Sequence, residues 1–222
     1  MRDSSSLSYF DKSNNQEVLN RFDSINSVSQ IFVQHLSEIY YDAKSYNADD
    51  FEQFTLNEIL SYLQASHRYY LNVWLPKINQ SVQQLLAASG ESSLVIKPLF
   101  LFVVKYQQEL ENHIEKEEKI LFSFVDDLLK GEYSSERKNF VINHFLFTHN
   151  DNVIVQLDEL KADLVRFEKE LEQNLNFHIL FNQLEIFQND LLIHGLIEDD
   201  VFVPKVLRLI NQDFEELGLS SR

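Results

Sequence analysis

The chain has no cysteine. Disulfides, thiolate metal sites, Cys-held iron–sulfur clusters and thiol catalysis are thereby excluded, and a reducing compartment fits. Four glycines and three prolines are very few for 222 residues. Leu, Phe, Glu, Gln and Asn dominate instead, a composition suited to long helices joined by few turns, so an almost all-α protein is expected. No run of about 18 apolar residues offers a membrane span. The opening residues, Met1 to Ser6, lack the apolar core of a secretion signal, and a cytoplasmic location is expected. Basic residues are also scarce, 19 Lys and Arg against 35 Asp and Glu, a formal net charge of −16. A nucleic-acid backbone or an anionic membrane would be repelled by that charge, so neither is expected as a partner.

The length allows one domain with a sizeable core, with or without a short appendage. Residues 1 to about 15 are rich in Ser and Asn and are expected to be disordered. From about 16 to 45, Leu19, Phe22, Ile25, Ile31, Phe32, Leu36 and Ile39 form an amphipathic pattern. It predicts one or two helices, packed on the main body or on a second copy of the chain as a homodimer. Asn47-Ala-Asp-Asp50 reads as a linker, which divides the chain into an extension, 1–50, and a main domain, 51–222. Thr55-Leu-Asn-Glu58 has the form of a capping box and opens a first long helix of about 55–84. The break Ser89-Gly90-Glu-Ser-Ser93 precedes a second helix, about 97–130, which stops at Gly131. A third covers about 135–172 and a fourth about 176–212, where Pro204 should kink or shorten the last turns. Four long helices with short connections predict an up-down-up-down four-helix bundle with an N-terminal helical extension.

Two motifs, His113-Ile-Glu-Lys-Glu117 and His194-Gly-Leu-Ile-Glu198, place a histidine four residues before a glutamate. Helical i, i+4 residues share a face, and here that face is apolar. One stripe runs Tyr106, Leu110, His113, Glu117, Ile120 or Leu121, Phe124, Leu128; the other runs Leu180, Leu184, Phe187, Leu191, His194, Glu198, Val201. Burying two carboxylates needs compensating positive charge. A metal ion supplies it, and His with Glu suits iron, manganese or zinc. The first helix adds His67 on the stripe Leu56, Leu60, Leu63, His67, Tyr70 or Leu71, Trp74, Ile78; the third adds His149 between Phe145 and Val153. His67, His113, His149 and His194 lie about 12, 16, 14 and 18 residues into their helices, which at ~1.5 Å per residue puts all of them near one level. His144, His178 and His35 fall off the stripes. Asp199 competes with Glu198, and the stripe favours Glu198.

Four histidines and two glutamates at this spacing resemble the hemerythrin-like (HHE cation-binding) family, with the nearest likeness to its di-iron proteins for repair of iron centres. The resemblance covers about 55–210 and is carried by the two His-x-x-x-Glu segments, by His194 to Pro204 in particular, by His67 ahead of Leu75-Pro76, and by the lone His149. It implies two irons bridged by an oxo or hydroxo group and by Glu117 and Glu198, with His67, His113, His149 and His194 as the remaining ligands. Oxygen carriers of the family add a fifth histidine, where this chain has Phe145 or Val153, so the likeness is to the four-histidine subgroup. Repair proteins commonly carry N-terminal cysteines, absent here; Ser123 stands where the family's first segment has proline, and Thr148 where many relatives are acidic. The implied function is nitrosative or oxidative stress response, by binding O₂ or NO or by donating iron to an iron–sulfur acceptor protein. The alternative is a sensor without turnover. A ferritin-like oxidase fits poorly, since its Glu-x-x-His pairs run the other way.

Overall fold

A computed structural model of the chain describes residues 25, 27–89, 96–146, 152–166 and 173–216. Among these residues the regular elements are all helices and no strand occurs. The expected disorder of 1–15, any helix before residue 25 and most of the break at 89–93 lie outside the described residues. No helix among the described residues is long and apolar enough to cross a membrane.

Helix α1 (Gln30–Tyr41) is followed by two 3₁₀ turns, Ala43–Ser45 and Ala48–Phe51. The predicted linker is therefore a short ordered turn, with the Asn47 side chain accepting from the Asp49 N–H. Among the described residues, π turns interrupt or extend the helices at four places. The first long helix is α2 (Leu56–Tyr69), the π turn Tyr70–Trp74 and α3 (Leu75–Ser89). The second is α4 (Ile96–Lys116), the π turn Glu117–Phe122 and α5 (Ser123–Lys130). Within the span predicted for the third lie α6 (Ser135–Val141), the π turn Ile142–Leu146 and, separately, α7 (Asn152–Arg166). The fourth is α8 (Leu175–Ile197), the π turn Glu198–Phe202 and α9 (Val203–Glu216).

Local chemistry explains these ends. Gly131, at φ 70, closes α5 in the left-handed conformation, where a side chain would meet the backbone and glycine does not. Ser29 and Ser134 accept from the N–H groups three residues on, capping α1 and α6. Thr55 accepts from the Glu58 N–H at 3.2 Å, but the Glu58 carboxylate does not complete the capping box; it takes the Ser29 N–H at 2.7 Å and ties the start of α1 to the start of α2. Pro204 does not end the fourth helix, which continues to Glu216. Its ring conflicts with the carbonyl four residues back, and the π turn immediately before it already loosens that ladder. Pro76 sits in the same place after its own π turn.

The chain forms two compact units. The first takes Met1–Ala65, Lys116–Asn150 and Ile193–Arg222. In it, fully buried Phe32 of α1 meets Phe51, Phe54 and Tyr62 at ring distances of 5.4, 4.8 and 5.4 Å. Tyr46 donates to the Leu196 carbonyl at 3.0 Å and to Asp200 at 3.3 Å. Glu52 pairs with Arg208 and Lys205 of α9, Arg137 bridges Asp127 and Ser123, and Phe122 packs edge-on against Phe202 at 5.6 Å. Residues 30–51 thus pack on the main body, sharing one core with α2 and the residues around the fourth helix's π turn.

The second unit takes Ser66–Glu115 and Asp151–Leu192. Here Phe187 of α8 gathers Tyr70, Trp74 and Tyr106, at 5.5, 5.6 and 6.5 Å. On another side of α8, Gln188 bonds Asp158 and Lys161 of α7. Helices meet α8 on several faces, which is why every residue from Ile186 to Leu191 is buried.

Candidate metal centre

The apolar faces of the helices carry the polar groups inward. On α2 the buried run Leu60, Leu63 continues to His67, 2% exposed; Glu117, His194 and Glu198 are 1%, 5% and 2% exposed. His67, Glu117 and His194 each offer a ligand atom within 4.8 Å of the other two. Two imidazoles and a carboxylate form a donor set that a divalent metal accepts. Glu198 extends it: its Oε2 lies 3.5 Å from His194 Nε2, a spacing two ligands of one ion can have. The chain therefore holds a buried group of residues that could hold a metal ion.

The other sequence candidates are placed differently. His113 is half-buried and outside that group; the buried face of α4 runs instead through Val103, Tyr106, Leu110, Ile114 and Glu117. His149 lies outside the described residues. Asp199 is half-buried where Glu198 is buried, and His144 and His178 are exposed. His35 sits on α1 against the rings of Phe51 and Phe54.

Three of the four described π turns lie at or beside the site. Glu117 and Glu198 are each the first residue of one, and a third begins three residues after His67. A π turn shifts the following face by one residue, and such turns occur frequently at functional sites. The stripes carried a trace of this: the two ambiguous steps, Ile120 or Leu121 and Tyr70 or Leu71, fall inside π turns, where Leu121 and Tyr70 are the buried members. Around the ligands stand aromatic rings, Tyr70 at 6.5 Å from the His67 ring and Tyr62 at 6.3 Å from that of His194. Near Glu198, burial, then the charge and hydrogen bond of Asp200, push the Tyr46 phenol well above its ordinary range.

One feature escaped the periodicity argument. Asp190, wholly buried on α8, binds Tyr70 and Trp74. Its signal was the spacing Asp190, His194, Glu198, i, i+4, i+8. No protein-family model, no characterised protein and no solved structure matches the chain.

Proposed function

We propose that this chain is a hemerythrin-like non-haem di-iron protein of the cytoplasm, an up-down-up-down four-helix bundle that serves in nitrosative or oxidative stress. The observation that carries this reading is the buried cluster of His67, Glu117 and His194 with Glu198 beside His194. His113 and His149 complete the ligand set of a second iron, His113 through its i+4 relation to Glu117. When bound, the metal supplies charge compensation for the carboxylates and a coordination position for O₂ or NO. The protein's own part is to keep His67, Glu117, His194 and Glu198 away from water, while Phe122 and Phe202, the last residues of the two π turns that the glutamates open, pack against each other. The test is metal analysis and an optical spectrum of protein purified without air. Two irons per chain and an oxo-bridge charge-transfer band are expected; a single zinc, or no tightly held metal, overturns the reading.

A second reading, a sensor without turnover, is favoured by one specific contact set. The 30–51 segment touches Tyr62, the neighbour of His194, and through Tyr46 bonds Leu196 and Asp200, on either side of Glu198. These contacts support a coupling of the segment to His194 and Glu198. Stopped-flow NO and O₂ binding beside a cluster-reconstitution assay separates the two. Iron transfer to an apo-cluster acceptor supports repair; reversible binding without transfer supports sensing.

A further inference from the structure

Asp190 takes hydrogen bonds from two oxidisable side chains on its two carboxylate oxygens. The Tyr70 O–H lies 3.3 Å from Oδ1, and 3.2 Å from the Asp190 carbonyl; the Trp74 indole N–H lies 3.1 Å from Oδ2. All three residues are buried. Tyr70 and Trp74 stand at the two ends of one π turn, which brings both polar atoms onto one carboxylate. At one end the Tyr70 ring is 6.5 Å from the His67 ring; at the other, Trp74 is 6.2 Å from the ring of half-exposed Tyr69. A phenol or an indole loses an electron easily only when its acidic proton leaves too. A carboxylate already in hydrogen-bond contact is the acceptor such a step needs.

We propose that Tyr70, Asp190 and Trp74 form a proton-coupled one-electron relay running from His67 to the half-exposed Tyr69. It rests on the metal reading only for its natural oxidant, an oxidised transition-metal ion held at His67. Tyr70 gives that oxidant one electron as its O–H bond breaks, and the proton passes to Asp190 Oδ1, leaving a neutral tyrosyl and a carboxylic acid. Trp74 then gives one electron to the tyrosyl. Asp190 returns its proton to the Tyr70 oxygen and takes the indole proton on Oδ2, leaving Tyr70 intact and Trp74 as the neutral radical. A one-electron reductant at the surface, reached through Tyr69, restores the indole, and Asp190 returns its proton.

The chain's composition makes the test clean, because it has one tryptophan and no cysteine. A ruthenium polypyridyl photo-oxidant is attached at Arg68→Cys, an exposed position, on metal-free full-length protein, and the indole radical is followed by transient absorption after a flash. Since no metal takes part, failure of the relay and failure of the metal reading are separate results. A neutral tryptophan radical should form, and more slowly in D₂O. Asp190→Asn should slow it about a hundred-fold, the scale of losing a positioned proton acceptor. Tyr70→Phe, which keeps the ring, should slow it about ten-fold or more, and it decides the matter if Asp190→Asn does not fold. Absence of the radical in the parent, or parent-like rates in Tyr70→Phe and in any folded Asp190→Asn protein, would overturn the relay.

Discussion

Glu117 is 1% exposed and shares a 4.8 Å neighbourhood with two imidazoles, so its carboxylate is where ligand identity is tested most directly. Glu117→Ala should abolish stoichiometric metal, and Glu198→Ala should lower metal content, while His144→Ala, an exposed position, leaves metal content unchanged; metal analysis of the three variants checks this. Retention of full metal by Glu117→Ala would sink the site. The burial of Glu117, His194 and Glu198 was legible because a carboxylate on an apolar stripe has few explanations other than a cation. The rotation of α4 that leaves His113 half-buried was not, since His113 and Ile114 differ by ~100° around the axis and either satisfies the pattern. Asp190 was hidden for another reason: the stripe steps from Phe187 to Leu191 and passes over it, although it stands four residues before His194 on the same side of α8. At the exposed rim, Glu52 is held below the usual carboxylate range, first by its hydrogen bond to Arg208 and then by that to Lys205. A depressed folded pKa stabilises above the ordinary value, about 4.3, and that contribution disappears as pH falls through the folded pKa. Glu52→Gln should therefore flatten the acid limb of stability against pH, read from urea midpoints between about pH 3 and 7. Solvent screening keeps the effect small, and an unchanged acid limb would show that the pair contributes nothing.

At the scale of elements, the spans of the first, second and fourth long helices followed from 3.6-residue periodicity, and stops such as that at Gly131 from residues that act locally. Gly131 illustrates this: nothing lies within 4 Å of where a Cβ would be, yet φ is +70. Gly131→Ala should cost about 1–2 kcal/mol, from left-handed strain alone, and Gly131→Asn less, in thermal or urea unfolding. Equal stability of the Ala variant would mean that the α5 end relaxes. The π turns could not be read in advance, because a helical stripe assumes one period throughout. Three of the four described π turns nevertheless make sense together: they sit at Glu117, at Glu198 and just beyond His67, and two of these are followed by a proline whose missing N–H a regular helix would need. The same limit applies to the capping box. Thr55 caps its helix as its spacing predicts, while Glu58 is diverted to Ser29, a partner 29 residues away that no local motif can indicate. For α1, Phe32 is the anchor, at 0% exposure among three aromatic rings. Phe32→Ala should cost about 3–5 kcal/mol, the range for an aromatic deleted from a packed core.

For the whole molecule, the decisive quantity is how far metal loading and folding are one equilibrium. Ligands gathered from distant parts of the sequence have no preformed site in the unfolded chain, so binding energy appears as folding energy. At metal concentrations about a thousand times Kd the gain is about 4 kcal/mol. For a chain of this size ~1 kcal/mol moves Tm by roughly 2–4 °C, so holo-protein should melt roughly 8–16 °C above protein stripped by a chelator. A chain carrying both Glu117→Ala and Glu198→Ala should show almost none of that gain. This second arm matters because a net charge of −16 attracts cations to the surface in any case, and such loose ions would raise the Tm of both proteins alike. If the 30–51 segment senses the centre, the coupling should also appear away from the ligands. Tyr46→Phe breaks the bonds to Leu196 and Asp200, and should leave metal content intact while removing the metal-dependent protection of that segment in amide hydrogen exchange. Protection that rises with metal equally in Tyr46→Phe and in the parent would mean that the segment is held by Phe32 alone and reports nothing about the centre.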